Sequence, residues 1–269
     1  MRVTVVRRTA VAASAVCLGL LATACSGSSD EENKSSGKEA ARSEKPAAAE
    51  GGAKTLTAAE LEKAVLAQGD VKGHKIEKAS VADTLTADQI TVDKSECEPL
   101  AHAMTGAKLG EPAAAVSRQA TQEPAEQQKD LSIEDMTEEE LQEQLAQNFN
   151  LTSTLVGLAS YEGKGAEEAV ASLRSAAKTC SGGFTVAAQG EKTKITKVEE
   201  IKVPGGQEVV GWSLTADLEE GDTMPTKLAV VRKDGTLARF VAVNFGGLME
   251  GKDFPLPTAV IDAQVAKLG

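Results

Sequence analysis

The sequence predicts an α+β fold, an antiparallel sheet with helices packed largely on one face, and three observations predict it. From Phe184 to Phe245 apolar residues recur with period two in run after run. Asp234-Gly235 separates the last two runs, and this residue pair marks a two-residue hairpin, so those strands are adjacent and antiparallel. Other segments carry their apolar residues at helical spacing instead.

The elements follow in chain order. Thr57 and Glu60 form a capping box, with Leu56 and Leu61 placed as the hydrophobic staple across it, which predicts a first helix from Ala58 to Gln68. Gly69 ends it, and Asp70 to Gly73 reads as a turn before a strand over His74 to Ala82. A short helix starts near Ser95 with Pro99 in its first turn and Leu100 and Met104 on one face. Ala113 to Thr121 and Leu151 to Tyr161 suit strands, and Ala166 to Thr179 repeats Ala169, Val170, Leu173, Ala176 and Ala177 at helical spacing. Five strands follow, Phe184 to Ala188, Ile195 to Val203, Glu208 to Leu218, Lys227 to Lys233 and Thr236 to Phe245. Val210, Trp212, Leu214, Ala216 and Leu218 share one strand face, while Ser213, Thr215 and Asp217 share the other. One side of the sheet is therefore expected to be buried and the other wet. A terminal helix, Pro257 to Leu268, is expected to cover the Trp212 face, which leaves the opposite face for binding.

Between the strands predicted at Ala113 to Thr121 and Leu151 to Tyr161, Gln122 to Gln147 is strongly acidic, with nine carboxylates against Lys129. It reads as a solvated insert that ends in a thin amphipathic helix over Thr137 to Asn148, and it lacks the loop pattern of a calcium site.

The N-terminus reads as an export signal. Arg2, Arg7 and Arg8 precede an apolar run from Ala10 to Leu21 that is too short to span a bilayer, and small residues lead to Cys25. Leu21-Ala22-Thr23-Ala24-Cys25 resembles the bacterial lipobox, with Ala22 where leucine is usual. The resemblance implies that residues 1–24 are a signal peptide and that the Cys25 thiol receives a diacylglyceryl group. Arg7-Arg8 leaves both the general and the twin-arginine export routes open. Residues 25–55 then form a tether, because Ser, Gly, Ala, Glu and Lys bury too little surface to offset ordering entropy. Its reach is roughly 30 Å. The expected address is the outer face of the cell membrane, with residues 56–269 as a single α+β domain.

Removing the three signal arginines from 29 basic residues against 40 acidic ones leaves a net charge of about −14. Such a chain has no basic footprint for nucleic acid. One Trp and one Tyr argue against a stacking platform for sugars or bases. Cys17 leaves with the signal and Cys25 is acylated, so Cys97 and Cys180 remain, and in an oxidising space two leftover cysteines pair. Closing that long loop is worth about 4.5 kcal/mol in the chain-entropy model. Free thiols and metal ligation are the alternatives, the latter poorly served by His74 and His102, which lack zinc-ligand spacing. No metal or cofactor is expected.

The layout resembles the extracellular sensor-domain family that includes the sensor domain of mycobacterial protein kinase H, over roughly Leu56 to Gly269. Leu61, Val65, Gly69, Gly73, Cys97, Leu100, Cys180, Phe184 and the Asp234-Gly235 hairpin carry it. The kinase domain has two disulfides where this chain has one candidate pair, and neither a kinase domain nor a transmembrane helix is read here.

Catalytic patterns fail on inspection. Gly246 to Lys252 matches G-x-x-x-x-G-K, but Asp253 replaces the magnesium-binding hydroxyl and Pro255 and Pro257 block the helix that phosphate binding needs. A triad of His74 with Ser80 or Ser160 lacks a nucleophile elbow, and His102 reads as one face of a short helix. Asn150-Leu151-Thr152 is a coincidental sequon. The expectation is a non-enzymatic, membrane-anchored module that binds an envelope ligand or protein. The second reading is a carrier of a lipid or other apolar molecule, which needs an apolar cavity of several hundred Å³.

Overall fold

A computed structural model describes residues 54–80, 82–124, 137–138, 150–218, 222–244, 246 and 253–269. The signal peptide, Cys25, nearly all of the tether and most of the acidic insert lie outside the described residues, as does most of Gly246 to Lys252. Helix α1 (Ala58–Ala64) starts at the capping box. The Glu60 N–H donates to Thr57 Oγ1 at 3.3 Å, and the Thr57 N–H donates to Glu60 Oε2 at 2.9 Å. Leu56 packs into the cluster that holds Leu61. The helix stops a turn earlier than its apolar period suggests, because groups from outside replace its next hydrogen bonds. Gln264, fully buried, donates Nε2 to the Ala64 carbonyl at 2.9 Å and accepts the Leu66 N–H at 3.0 Å. Val65 consequently turns extended and, with Leu66, drops into the core.

The strands are β1 (His74–Lys78), β2 (Ile90–Val92), β3 (Ala114–Gln122), β4 (Thr152–Ser160), β5 (Phe184–Ala188), β6 (Glu191–Glu200), β7 (Glu208–Asp217), β8 (Thr223–Lys233) and β9 (Thr236–Asn244). They form one nine-stranded sheet in the order β1-β3-β4-β9-β8-β7-β6-β5-β2, antiparallel at every pairing. The expected hairpin joins β8 to β9, with Lys233 opposite Thr236 and Asp234 taking the positive φ of 52°. The other helices are α2 (Glu98–Met104), α3 (Gly165–Thr179) and α4 (Thr258–Lys267).

Strands β1 and β2 finish on opposite edges although only residues 79–89 connect them. A flat sheet of nine strands is about 38 Å wide at ~4.8 Å per step. The connection reaches roughly 40 Å only if fully extended, and it contains a turn at Ser80–Asp83 and a 3₁₀ turn at Ala87–Gln89. The sheet therefore curls until its edges approach, and this connection crosses the concave face as a strap. Gly106 permits the crossing: a Cβ there would lie 2.3 Å from the Asp83 carbonyl oxygen, and φ is +82°.

Two core clusters lie on the two faces. The concave face carries α2 and α3 over Leu155, Trp212, Leu214, Leu228 and Val241. The other carries α1 and α4 over Ile76, Val156, Ala229 and Phe240. Trp212 is buried as expected, at 5 % exposure, but the terminal helix lies on the opposite face from it. The reason is in the strands. Consecutive residues Val230 and Val231 are both fully buried, so β8 and β9 are covered on both sides, and alternation returns in β7 on the side toward β6, where Ser213, Thr215 and Asp217 face outward.

The disulfide expected from cysteine usage is present. Cys97 ends the 3₁₀ turn before α2, Cys180 caps the C-terminus of α3, and their Cα atoms are 6.0 Å apart. Among the described residues no helix is long and apolar enough to cross a membrane.

Candidate functional site

A cleft of about 680 Å³ opens at the β1 end of the curled sheet. One wall is the strap at Thr84 to Ala87, another is the end of α2 and the loop after it from His102 to Glu111, and the floor is β3 from Ala115 to Arg118. Glu62 of α1 and Lys78 at the end of β1 complete the rim. A smaller recess of about 40 Å³ leads inward, sharing Gly106, Lys108 and Ala115 to Ser117 with the cleft and reaching Gly157, Tyr161 and Arg239.

Arg239 is the unusual member. It stands mid-strand in β9 at the parity of Leu237 and Val241, and only 8 % of it is exposed. Its guanidinium donates to the carbonyls of Gly106 at 2.8 Å, His102 at 3.4 Å and Ala107. These are the last carbonyls of α2 and the loop beyond, a position that favours a cation. Among the described residues no carboxylate lies within ion-pair distance of it, and Nε has no hydrogen-bond partner. Burial pushes its pKa down to about 10, and nearby Tyr161 acts in the opposite direction. Tyr161 holds the same loop from below, donating its hydroxyl to the Leu109 carbonyl at 2.8 Å. The loop is thus hung on the sheet by two buried side chains.

The rim is mixed in charge. Arg118 pairs with Glu62 and holds that carboxyl below its ordinary range. Lys78 and Lys108 are exposed. His102 is half-buried, and burial lowers its pKa, with Glu98 opposing and Arg239 reinforcing the shift. Its imidazole is therefore neutral at neutral pH.

The structure scatters the other candidates. His74 opens β1, with Nδ1 3.1 Å from the Lys72 carbonyl oxygen. Ser80 donates to Asp83 Oδ2 at 2.6 Å inside the strap's turn. Ser160 is buried and accepts the Leu56 N–H at 2.8 Å. Asp253, standing where a P-loop needs a hydroxyl, pairs with Lys227 at 2.5 Å, and the same ammonium lies 5.7 Å from the Phe254 ring centroid. The face opposite Trp212, where binding was expected, is covered in large part by α1 and α4, and the cleft opens at the sheet's edge. Arg239 and Gly157 carry no motif. The available signal was a lone arginine on a core-facing parity within Leu237-Ala238-Arg239-Phe240-Val241.

No protein-family model matches the chain, and no curated protein sequence matches it. Among solved structures it is similar to the extracellular domain of PknH from Mycobacterium tuberculosis. The identity is 14 % and the TM-score 0.50, over 81 % of this chain and 98 % of that one. At that identity the likeness speaks for architecture, and the chain has the α+β fold of that extracellular domain.

Proposed function

We propose that this protein is a membrane-anchored, extracytoplasmic, non-enzymatic module that binds a ligand or partner in the cleft. The cleft carries the reading. Its volume of about 680 Å³ falls in the range of small-molecule sites, and its walls set apolar side chains such as Leu85 and Val116 among more numerous polar and charged ones. The shared fold with an extracellular domain and a buried disulfide support an address outside the cytoplasm. The export signal and Cys25 support the anchor. The carrier reading draws on the same volume, but the hollow is an open cleft rather than a chamber sealed between sheet and helices.

Native mass spectrometry of the protein taken from its own cell envelope tests binding. A stoichiometric adduct lost on Ser117→Trp, which fills the cleft floor, is the expected result. An adduct unaffected by that change would place binding elsewhere. Cys25→Ser should release the folded protein from washed membranes, and its retention there would refute the anchor.

A further inference from the structure

We propose that the cleft takes a monocarboxylate with an apolar body, whose carboxylate enters the recess beside Arg239 while the body lies along the cleft. The inference rests on the cleft being the binding site and names what it binds. Arg239 is a buried cation surrounded by neutral oxygens. Three carbonyls accept its Nη protons, none of them carries a formal charge, and Nε is left without an acceptor. Buried polar groups in native proteins are otherwise partnered almost without exception, so an orphaned donor beside a hollow marks a missing acceptor.

The hollow beside it suits one small planar anion. The recess is about 40 Å³, and its remaining walls include Leu109, Ala159 and Leu237. A carboxylate fits such room and needs only one or two donors. A phosphate brings more oxygens and more charge than one free N–H in an apolar recess satisfies. The wider cleft continues along Leu85, Ala87 and Val116, which gives an apolar body its contacts. Long-range attraction does not gather the ligand, because the chain's formal net charge is −11. Recognition is therefore short-range and largely hidden from salt.

Decanoate, decanol and decyl phosphate, each below its micelle concentration, are titrated into the detergent-free full chain while the arginine Nε–H and backbone amide NMR signals are followed. Decanoate is expected to shift the Arg239 Nε–H and to bind at least about tenfold tighter than decanol. Its Kd should change by less than about threefold between low and high salt. Gly157→Ala places a methyl 3.3 Å from Arg239 Nη2 and narrows the recess. That variant should lose decanoate affinity by about tenfold and keep its affinity for decanol. Equal binding of decanoate and decanol, with shifts at Lys108 and Ser117, would leave the cleft a binding site and remove the carboxylate from it. Decyl phosphate binding as tightly as decanoate, or no shift from decanoate, would also overturn the proposal, whereas the envelope-ligand measurement judges the cleft independently. If Gly157→Ala does not fold, the Nε–H shift in the unaltered chain still decides.

Discussion

Gly157 stands directly opposite Arg239 in the β4–β9 register, and the guanidinium fills the space that a side chain at 157 would need. A Cβ there would lie 3.3 Å from Nη2 and 3.6 Å from Nε. Gly157→Val should therefore displace the guanidinium from its carbonyls and cost about 1 to 3 kcal/mol, the usual range for overpacking. Urea melts of the two proteins give this directly, and an unchanged midpoint would mean the arginine has room to move.

Cys97 and Cys180 are both fully buried within the concave-face cluster, and their bond spans 83 residues of sequence. Replacing either by alanine should cost about 2 to 5 kcal/mol. The unaltered domain, denatured without reductant, should show no thiol from this pair.

Tyr161 is the chain's one tyrosine, so its titration can be read from phenolate absorbance without assignment. Burial pushes its pKa up to about 12, with Arg239 opposing. The folded protein should ionise near that value and the urea-denatured chain near 10. Because the folded value is the higher one, the associated stability is complete below pH 10 and is lost as pH rises through about 12. Coincident titrations in the two states would show the phenol to be open to water.

Glu208 is held below the ordinary glutamate range first by Arg232, whose Nε lies 2.7 Å from Oε2, and then by Arg174 at 3.1 Å. Its folded pKa is depressed, so the stability it adds is present above about pH 4.5 and is lost as pH falls through the folded value. Glu208→Gln should therefore flatten the acid side of the stability profile while lowering stability at pH 7. A parallel profile, merely displaced, would show that the pair does not set the acid response.

Local chemistry was legible where one stretch of chain decides the outcome. The Thr57–Glu60 capping box, strand Phe184–Ala188 with its bounds, the Asp234-Gly235 hairpin and the burial of Trp212 all follow from spacing. The cysteine pair was legible because elimination left two. Helix α1 was read too long because Gln264, some two hundred residues away, takes over its end. The face covered by α4 was misread because Val230 and Val231 are apolar on both sides, and period two then names no inside. The candidate site was hidden for a related reason: the Arg239 Nη groups donate to carbonyls of a loop that sequence spacing does not bring near β9.

The strand order also constrains how the chain reaches this state. Strands β5 to β9 pair successively and need only short loops, whereas β4 must find β9 across the length of α3 and four strands. Loop-closure entropy delays such distant pairings, and topologies dominated by them fold in milliseconds to seconds, roughly. The meander β5 to β9 should therefore acquire amide protection first, and β4, β3 and β1 should add outward from β9. The strap is complete only when both edges of the sheet exist. Pulse-labelled hydrogen exchange should find Leu85 and Gln89 protected last, which makes the cleft wall the final part of the molecule to come into being.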